Sequence, residues 1–233
     1  MDPSSAAQAE PSVTVLTPTI GRPGLAELMA SVDAQRNVPR PCHLLLWDAT
    51  RAPGAPVPEA LDTPHRFSLV LPARHAFPGF HHRAPGSALR AIGLLLATTP
   101  WVTFADDDVC WAPDHMARLL AAAQGLQWAS TLRRMRTESG ERLGVDRFES
   151  VGDDADRQVP YEMIDNNCML FRREWGVRAA PLYRETRSYN DDRLMYAMLK
   201  AEAGPRGRTG RATLDQCSPP ALVEMFRAAC SAE

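Results

Sequence analysis

The chain has almost no lysine. Lys200 is the only lysine among its 233 residues, so nearly all of the positive charge is carried by arginine. Acidic and basic side chains almost balance, and the formal net charge is −2. A chain of this charge lacks the basic excess with which nucleic-acid-binding domains neutralise phosphates. We therefore expect no general nucleic-acid-binding surface.

Signals for membrane insertion, secretion and zinc binding are also missing. No apolar run reaches the roughly 20 residues that a membrane-spanning helix needs. The first twelve residues are small and polar, without the basic and then apolar pattern of a secretory signal. The five cysteines are widely spaced and form no Cys-x-x-Cys pair, which argues against a zinc site and a disulfide framework. These absences predict a cytoplasmic protein without a transmembrane segment, and they leave a peripheral membrane contact open.

The first half of the chain alternates strand-like and helix-like segments. Helical spacing of apolar residues begins at Leu25 and again at Ser87. Four short apolar runs have the composition of buried strands, namely Val13–Thr17, His43–Trp47, Phe67–Leu71 and Trp101–Ala105. This alternation predicts an α/β fold with a mostly parallel central sheet flanked by helices, and the length fits a single domain.

The second half is less regular. We predict a flexible tail over residues 1–12, one domain over residues 13–203, and a mobile loop with a short helix over residues 204–233. Residues 204–220 contain glycine, proline and arginine without apolar periodicity, which favours a loop. The other expected elements are strands at Trp128–Leu132 and within Tyr161–Phe171, a charged loop or hairpin at Arg133–Gln158, and helices at Asp191–Ala203 and Ala221–Ala229.

Three consecutive aspartates, Asp106, Asp107 and Asp108, follow the apolar run W-V-T-F-A. Adjacent carboxylates repel one another, and a divalent cation relieves that repulsion. Carboxylate oxygens are the hard ligands that Mg²⁺ and Mn²⁺ take. The pattern favours a metal site, although an acidic, solvated turn is the simpler alternative from these residues alone.

Polar residues also follow the other predicted strands. Ligands bind an open parallel sheet outside the carboxyl ends of its strands, so these residues are expected to meet at one edge. A metal and arginines would bind the phosphates of a nucleoside diphosphate there, and a lone carboxylate would accept from a base N–H. The residues brought to this edge, besides the three aspartates, are Thr17, Pro18, Thr19, Arg22, Asp48, Arg74 and His75.

From Val13 to Lys200 the sequence resembles the GT-A-fold glycosyltransferases, and among them family 2 most closely. The motifs that carry the resemblance are V-T-V-L-T-P-T-x-x-R-P, Asp48, P-G-S-A-L-R-A-I-G-L, F-A-D-D-D-V, N-N-C-M-L-F-R-R-E and N-D-D-R-L-M-Y-A-M-L. The string F-A-D-D-D is also similar to the animal β-glucuronyltransferases, which have the same fold. The order of these motifs along the chain, more than any one of them, supports the resemblance to the GT-A-fold glycosyltransferases.

The resemblance implies an inverting, metal-assisted transfer of sugar from a nucleotide-sugar donor, a UDP-sugar, with Mn²⁺ or Mg²⁺. The acceptor would be a saccharide, a glycolipid or a small molecule in a bacterium. Asp108 would be the principal metal ligand, Asp106 would hold the ribose or a metal-bound water, and Asp192 would be the general base. The implied donor-binding residues are Thr17, Pro18, Thr19, Arg22, Asp48, Arg74, Arg90 and Asp107.

Candidate acceptor-binding residues are less clearly marked, and they are Asp191, Asn166, Asn167, Trp111 and His82. Asn166 and Asn167 are poor strand formers at a predicted strand, which points toward function. Trp111 would stack on a sugar or serve as a core anchor. The pair Asp191–Asp192 could also be ordinary first-turn acids, since a helix dipole stabilises their charge and would keep Asp192 ionised.

The sequence departs from the family in two places. Ala91 stands where the family often has asparagine, and no histidine occurs after His115, although several metal-dependent relatives use a late histidine ligand. Two alternatives remain. One is a phosphohydrolase of the haloacid dehalogenase type, with Asp106 as nucleophile and Asp108 as acid. The other is a catalytically degenerate transferase domain that binds a nucleotide sugar or a partner. A nucleotidyltransferase is disfavoured because its glycine-rich, lysine-bearing loop is missing.

Overall fold

A computed structural model describes residues 12–48, 63–71, 86–154, 157, 160, 162–185 and 191–231. In these ranges the strands are β1 (Val13–Thr19), β2 (Cys42–Asp48), β3 (Arg66–Leu71), β4 (Trp101–Phe104), β5 (Val109–Trp111), β6 (Trp128–Arg136), β7 (Arg142–Asp146), β8 (Met169–Arg172), β9 (Gly207–Cys217) and β10 (Cys230–Ser231). The helices are α1 (Leu25–Asp33), α2 (Ser87–Leu96), α3 (His115–Ala122), α4 (Arg173–Glu185), α5 (Asp191–Glu202) and α6 (Val223–Ala229). Short 3₁₀ turns lie at Asn166–Cys168 and Pro220–Leu222.

One sheet runs through the molecule in the order β10-β7-β6-β8-β4-β1-β2-β3. The neighbours β3, β2, β1 and β4 are all parallel. Beyond β4, β8 pairs antiparallel with both β4 and β6, and β7 and β10 continue antiparallel. The predicted α/β class with a mostly parallel central sheet is confirmed, and the parallel strands carry their carboxyl ends to a common edge.

Helices cover both faces of the parallel strands. Adjacent residues of a strand point to opposite faces, and on β2 Leu45 packs with Leu25 of α1. A Cβ added to Gly93 of α2 would lie 2.6 Å from Leu46, on the other face. The helices α1 and α2 therefore lie on opposite sides of the sheet, and both begin near the edge that holds the aspartates.

The largest difference from the sequence-based prediction is β9. Residues 207–217 were predicted to be part of a mobile loop, but they form a strand that pairs parallel with β6 and antiparallel with β5. The prediction was wrong there because β9 is irregularly paired and largely polar, so it lacks the apolar alternation of a strand with one buried face. Its backbone hydrogen bonds hold it in the sheet.

The other elements of the second half agree more closely with expectation. The charged segment after Leu132 contains the end of β6 and the hairpin to β7. The predicted helix from Asp191 is α5. No helix in the described part of the chain is long and apolar enough to cross a membrane.

Candidate functional site

A pocket opens at the carboxyl ends of β1, β2 and β4. It is lined by Pro18, Thr19, Ile20, Arg22, Asp48, Gly86, Leu89, Arg90, Asp106 and Asp107. Seven of these are residues that the sequence assigned to the donor site or the metal, and they come from four separate segments. Ile20, Gly86 and Leu89 were not anticipated. Arg74, His75 and His82 lie outside the described residues.

Asp107 is tied to the loop after β1. The hydroxyl of Thr19 donates to Asp107 Oδ2 at 2.7 Å and accepts from the N–H of Gly21 at 2.9 Å. Arg22 Nη1 lies 3.4 Å from Asp107 Oδ1, and 52% of the Arg22 side chain is exposed. Asp107 thus joins two loops of the pocket, while about half of the Arg22 side chain faces solvent.

The backbone of the aspartate segment passes very close to Gly24, just before α1. A Cβ added at Gly24 would lie 2.4 Å from the carbonyl oxygen of Asp107. We expect Gly24→Ala to push the aspartate segment outward and to lower the free energy of unfolding by about 2 kcal/mol, as overpacking does. Urea denaturation measures this. Ala26→Ser, at an exposed position of α1, is the control and should change stability by less than about 0.5 kcal/mol; equal effects would contradict the close contact.

Asp106 is held from two sides. Arg90 Nη2 donates to its Oδ1 at 2.5 Å, and Asn167 Nδ2 donates to its Oδ2 at 3.2 Å. Arg90 is buried and also lies 3.7 Å from Asp191. Although burial opposes its charge, Asp106 and Asp191 raise the pKa of Arg90 above its ordinary value. Arg90 therefore stays charged and neutralises part of the acidic cluster.

Asp108 has the least complete set of partners of the three aspartates. Its Oδ1 is buried and has no hydrogen-bond partner among the described residues, and its Oδ2 is 4.0 Å from Arg22. Burial, with the charges of Asp106, Asp107 and Asp165, raises the pKa of Asp108 to about 7. A cation beside this oxygen would supply the missing partner and relieve the repulsion.

The acidic residues fit a metal that is shared with a ligand. No group of three His, Cys, Asp or Glu residues in the described ranges is arranged to hold an ion alone. Mg²⁺ is usually bound by one or two carboxylates together with substrate phosphates and waters. Because both oxygens of Asp106 already accept hydrogen bonds, Asp108 is the better placed of the two predicted ligands to contact such an ion.

Asp191 and Asp192 begin α5, beside the start of α2. Asp191 is buried, and its Oδ2 accepts from the hydroxyl of Ser87 at 2.7 Å. It therefore fastens α5 to α2 and does not present a free carboxylate to an acceptor. Asp192 is partly exposed. Its carboxyl is nevertheless largely desolvated, and this, with the charges of Asp165 and Asp191, raises its pKa well above the ordinary value, so the expectation that the helix dipole would keep it easily ionised is wrong.

Two predicted ligand contacts are buried in the core. Thr17 is fully buried, and its hydroxyl hydrogen-bonds to His43 Nε2 at 2.9 Å. Trp111 lies in β5, 4% exposed, and stacks on His115 with ring centroids 4.3 Å apart. Neither side chain lines the pocket, so the structure does not bring these two residues to the site, and Trp111 has the place of a core anchor. Adjacent residues of a strand point to opposite faces of the sheet, and the sequence alone did not determine which face Thr17 and Trp111 occupy.

The two asparagines belong to the protein interior. Asn166 is 1% exposed, and its Oδ1 accepts from the Tyr183 hydroxyl at 2.7 Å. Asn167 is equally buried and contacts Asp106 and Asp165. The structure therefore does not bring the two amides to the surface, where a direct contact with an acceptor would require them.

A buried ionic network behind the site was not predicted. Arg133, with 1% of its side chain exposed, pairs with Asp146 at 2.8 Å, Glu149 at 2.6 Å and Asp165 at 2.5 Å. Its guanidinium also lies over the Phe226 ring of α6. No motif marks these residues, and the one available signal was the strand-breaking run D-N-N before β8.

Comparison with known proteins identifies a fold and no close relative. None of the protein-family models matches the sequence, and no curated protein matches it. Among solved structures, residues 1–349 of TarS from S. aureus superpose with a TM-score of 0.59 at 15% identity, covering 95% of this chain and 67% of that one. A complex of the same fragment with UDP gives 0.59 at 16% identity, over 93% of this chain and 64% of that one.

A third structure, the TarS fragment with UDP-GlcNAc, gives a TM-score of 0.58 at 14% identity, over 89% of this chain and 59% of that one. The longer TarS chain is matched over only 38% of its length. At these identities the likeness establishes the fold alone. The chain therefore shares the overall fold of TarS, in agreement with the α/β arrangement that its sequence predicted.

Proposed function

We propose that the protein is an inverting glycosyltransferase that moves a sugar from a UDP-sugar to an acceptor hydroxyl. The observation that carries the proposal is the pocket at the carboxyl edge, where Asp48, Arg22, Asp106 and Asp107 converge from separate segments. The shared fold with TarS, which has been crystallised with UDP and with UDP-GlcNAc, supports a nucleotide-sugar donor. The acceptor class remains a saccharide, a glycolipid or a small molecule.

The pocket residues suggest how the donor is held. Asp48, at the end of β2, would accept a hydrogen bond from an N–H of the base. Arg22 is more than half exposed beside Asp107 and Asp108, so it can turn toward a phosphate and pair with it bidentately. Arg90 would orient Asp106, which in turn would contact the ribose or a metal-bound water.

Mn²⁺ or Mg²⁺, held by Asp108 together with the diphosphate, would neutralise the charge that develops on the leaving group. The unpartnered, buried Oδ1 of Asp108 supports this role. The repulsion among Asp106, Asp107 and Asp108 would be relieved by the same ion.

Asp192 would remove the proton from the acceptor hydroxyl. The acceptor oxygen attacks the anomeric carbon, the bond from that carbon to the diphosphate oxygen breaks, and the proton passes to the Asp192 carboxylate. Its raised pKa suits a general base better than that of an ordinary surface aspartate. A single displacement of this kind inverts the anomeric configuration.

The phosphohydrolase alternative is less favoured. It requires a free carboxylate nucleophile, yet both oxygens of Asp106 accept hydrogen bonds from Arg90 and Asn167. Such an enzyme also relies on a lysine, and the only lysine, Lys200, pairs with Glu162 and Asp153 away from the pocket. A degenerate binding domain would bind the nucleotide sugar as the proposed enzyme does, but it would not turn it over. The turnover of Asp192→Asn compared with that of wild type tests this difference.

A thermal-shift panel of UDP, GDP, dTDP and CMP with MnCl₂ tests the donor assignment. We expect UDP with Mn²⁺ to stabilise the protein by about 2.7 kcal/mol at a hundredfold excess over its dissociation constant. The other three nucleotides should stabilise it less. Stabilisation by none of the four, or equally by all, would contradict a uridine-specific donor pocket.

Asp108→Asn separates metal binding from folding. The amide keeps the size of the side chain but removes a buried charge, so the metal-free protein should be at least as stable as wild type. UDP affinity in MnCl₂ should fall about 100-fold, because the ion would lose its main protein ligand. Calorimetry with and without MnCl₂ measures this, and equal metal dependence in both proteins would rule out Asp108 as a ligand.

A further inference from the structure

The pairing of β4 with β8 brings Asn167 opposite Asp106. The two strands are antiparallel, with Trp101 opposite Arg172 and Thr103 opposite Leu170. Continuing this register by three residues pairs Asp106 with Asn167, just beyond the ends of both strands. The chain before β8 turns into a 3₁₀ helix there, so the regular backbone ladder has ended.

The Asn167 side chain continues the pairing that the backbone no longer makes. Its Oδ1 accepts from the backbone N–H of Asp106 at 2.6 Å, and its Nδ2 donates to Asp106 Oδ2 at 3.2 Å. One amide thus contacts both the main chain and the carboxylate of Asp106. Since Asn167 is 1% exposed, these bonds are shielded from water and fix the orientation of that carboxylate.

Asn167 is itself held by charged residues behind the site. Asp165 Oδ1 accepts from the backbone N–H and from Nδ2 of Asn167, each at 2.8 Å. Asp165 Oδ2 accepts from Arg133 Nη1 at 2.5 Å. Both the oxygen and the nitrogen of the Asn167 side chain have partners, so its amide cannot rotate without breaking a buried bond.

We propose that Asn167, supported by Asp165 and Arg133, is a positioning residue for the donor site, which acts by fixing Asp106 against Arg90. This inference rests on the proposed function, and it moves Asn167 from the acceptor side, where the sequence pattern put it, to the donor side. Loss of the amide frees one oxygen of Asp106 and its backbone N–H, and Asp106 and Arg90 then lose their fixed geometry at the pocket wall.

The test is calorimetric titration of UDP in MnCl₂ into wild type, Asn167→Ala and a matched control. Removing a residue that orients a ligating group typically costs about 10-fold or more in affinity, and we expect a loss of that size for Asn167→Ala. The control is Thr103→Val, which removes a buried hydrogen bond to Met169 O in the same region but contacts no site carboxylate. It should leave UDP affinity unchanged even if it lowers the melting temperature.

A double-mutant cycle distinguishes positioning from general destabilisation. If Asn167 acts through Asp106, then Asn167→Ala should weaken UDP binding much less in an Asp106→Ala background than in wild type. Full additivity, or UDP affinity for Asn167→Ala equal to that of wild type, would overturn the inference.

Should Asn167→Ala not fold, Asp165→Asn replaces it. We expect Asp165→Asn to cause a smaller loss of UDP affinity in the same direction, and an unchanged UDP affinity would again overturn the inference. Absence of UDP binding by the wild-type protein would instead refute the proposed function.

Discussion

Asp192→Asn is expected to reduce the kcat of sugar transfer about 1,000-fold, within the range that a positioned general base contributes. Asparagine keeps the shape of the side chain but cannot take a proton from the acceptor hydroxyl. UDP affinity in MnCl₂ should stay close to that of wild type, because the proposed role of Asp192 is to take the acceptor's proton and not to hold the nucleotide or the metal. A coupled assay of UDP release from UDP-GlcNAc, with candidate acceptors, measures kcat.

The pH dependence of the wild-type enzyme gives a second test of the same role. The base acts when it is deprotonated, so activity should fall as the pH drops through the pKa of Asp192. Burial and the charges of Asp165 and Asp191 raise that pKa well above its usual value, so the loss should occur at a higher pH than for an ordinary aspartate. Asp114→Asn, at the start of α3, is a matched control that should leave kcat unchanged. Undiminished turnover by Asp192→Asn would contradict the base assignment.

Arg133→Met should be the most destabilising single change discussed for this protein. The guanidinium is 1% exposed and neutralises Asp146, Glu149 and Asp165. Removing one partner leaves buried carboxylates uncompensated, which typically costs about 4 kcal/mol, and methionine fills much of the same volume. Urea denaturation followed by circular dichroism measures the free energy of unfolding.

Arg134→Met is the neighbouring control on β6. Arg134 pairs with Asp215 at 2.5 Å, but both side chains are partly exposed, and such pairs contribute less than about 1 kcal/mol. A similar loss of stability for both variants would show that burial is not the reason for the contribution of the Arg133 network to the free energy of unfolding. Stability of Arg133→Met equal to wild type would contradict the network itself.

Residues at the ends of apolar runs were the part of the site that the sequence could predict. Asp48, Arg22 and the aspartates follow strand-like segments, and parallel strands bring their carboxyl ends together whatever the details of packing. The fold class followed from the same alternation of strands and helices. These predictions depended on short-range pattern and on the order of motifs.

Side-chain direction and long-range pairing could not be predicted in this way. Thr17 and Trp111 point into the core, and a shift of one residue in a strand exchanges its two faces. The strand β9 has no apolar period, and it forms because β5 and β6 offer it backbone partners. The path from Asp106 through Asn167 to Arg133 joins residues more than 60 positions apart, and only the folded chain brings them together.

The most direct test of the central claim is a crystal structure of the protein with UDP and MnCl₂. We predict that the nucleotide lies at the carboxyl edge of β1, β2 and β4, with its base against Asp48 and Mn²⁺ bound between Asp108 and the diphosphate. Asp106 should remain bonded to Arg90 and Asn167. UDP bound elsewhere, or a diphosphate with no metal beside Asp108, would contradict the account.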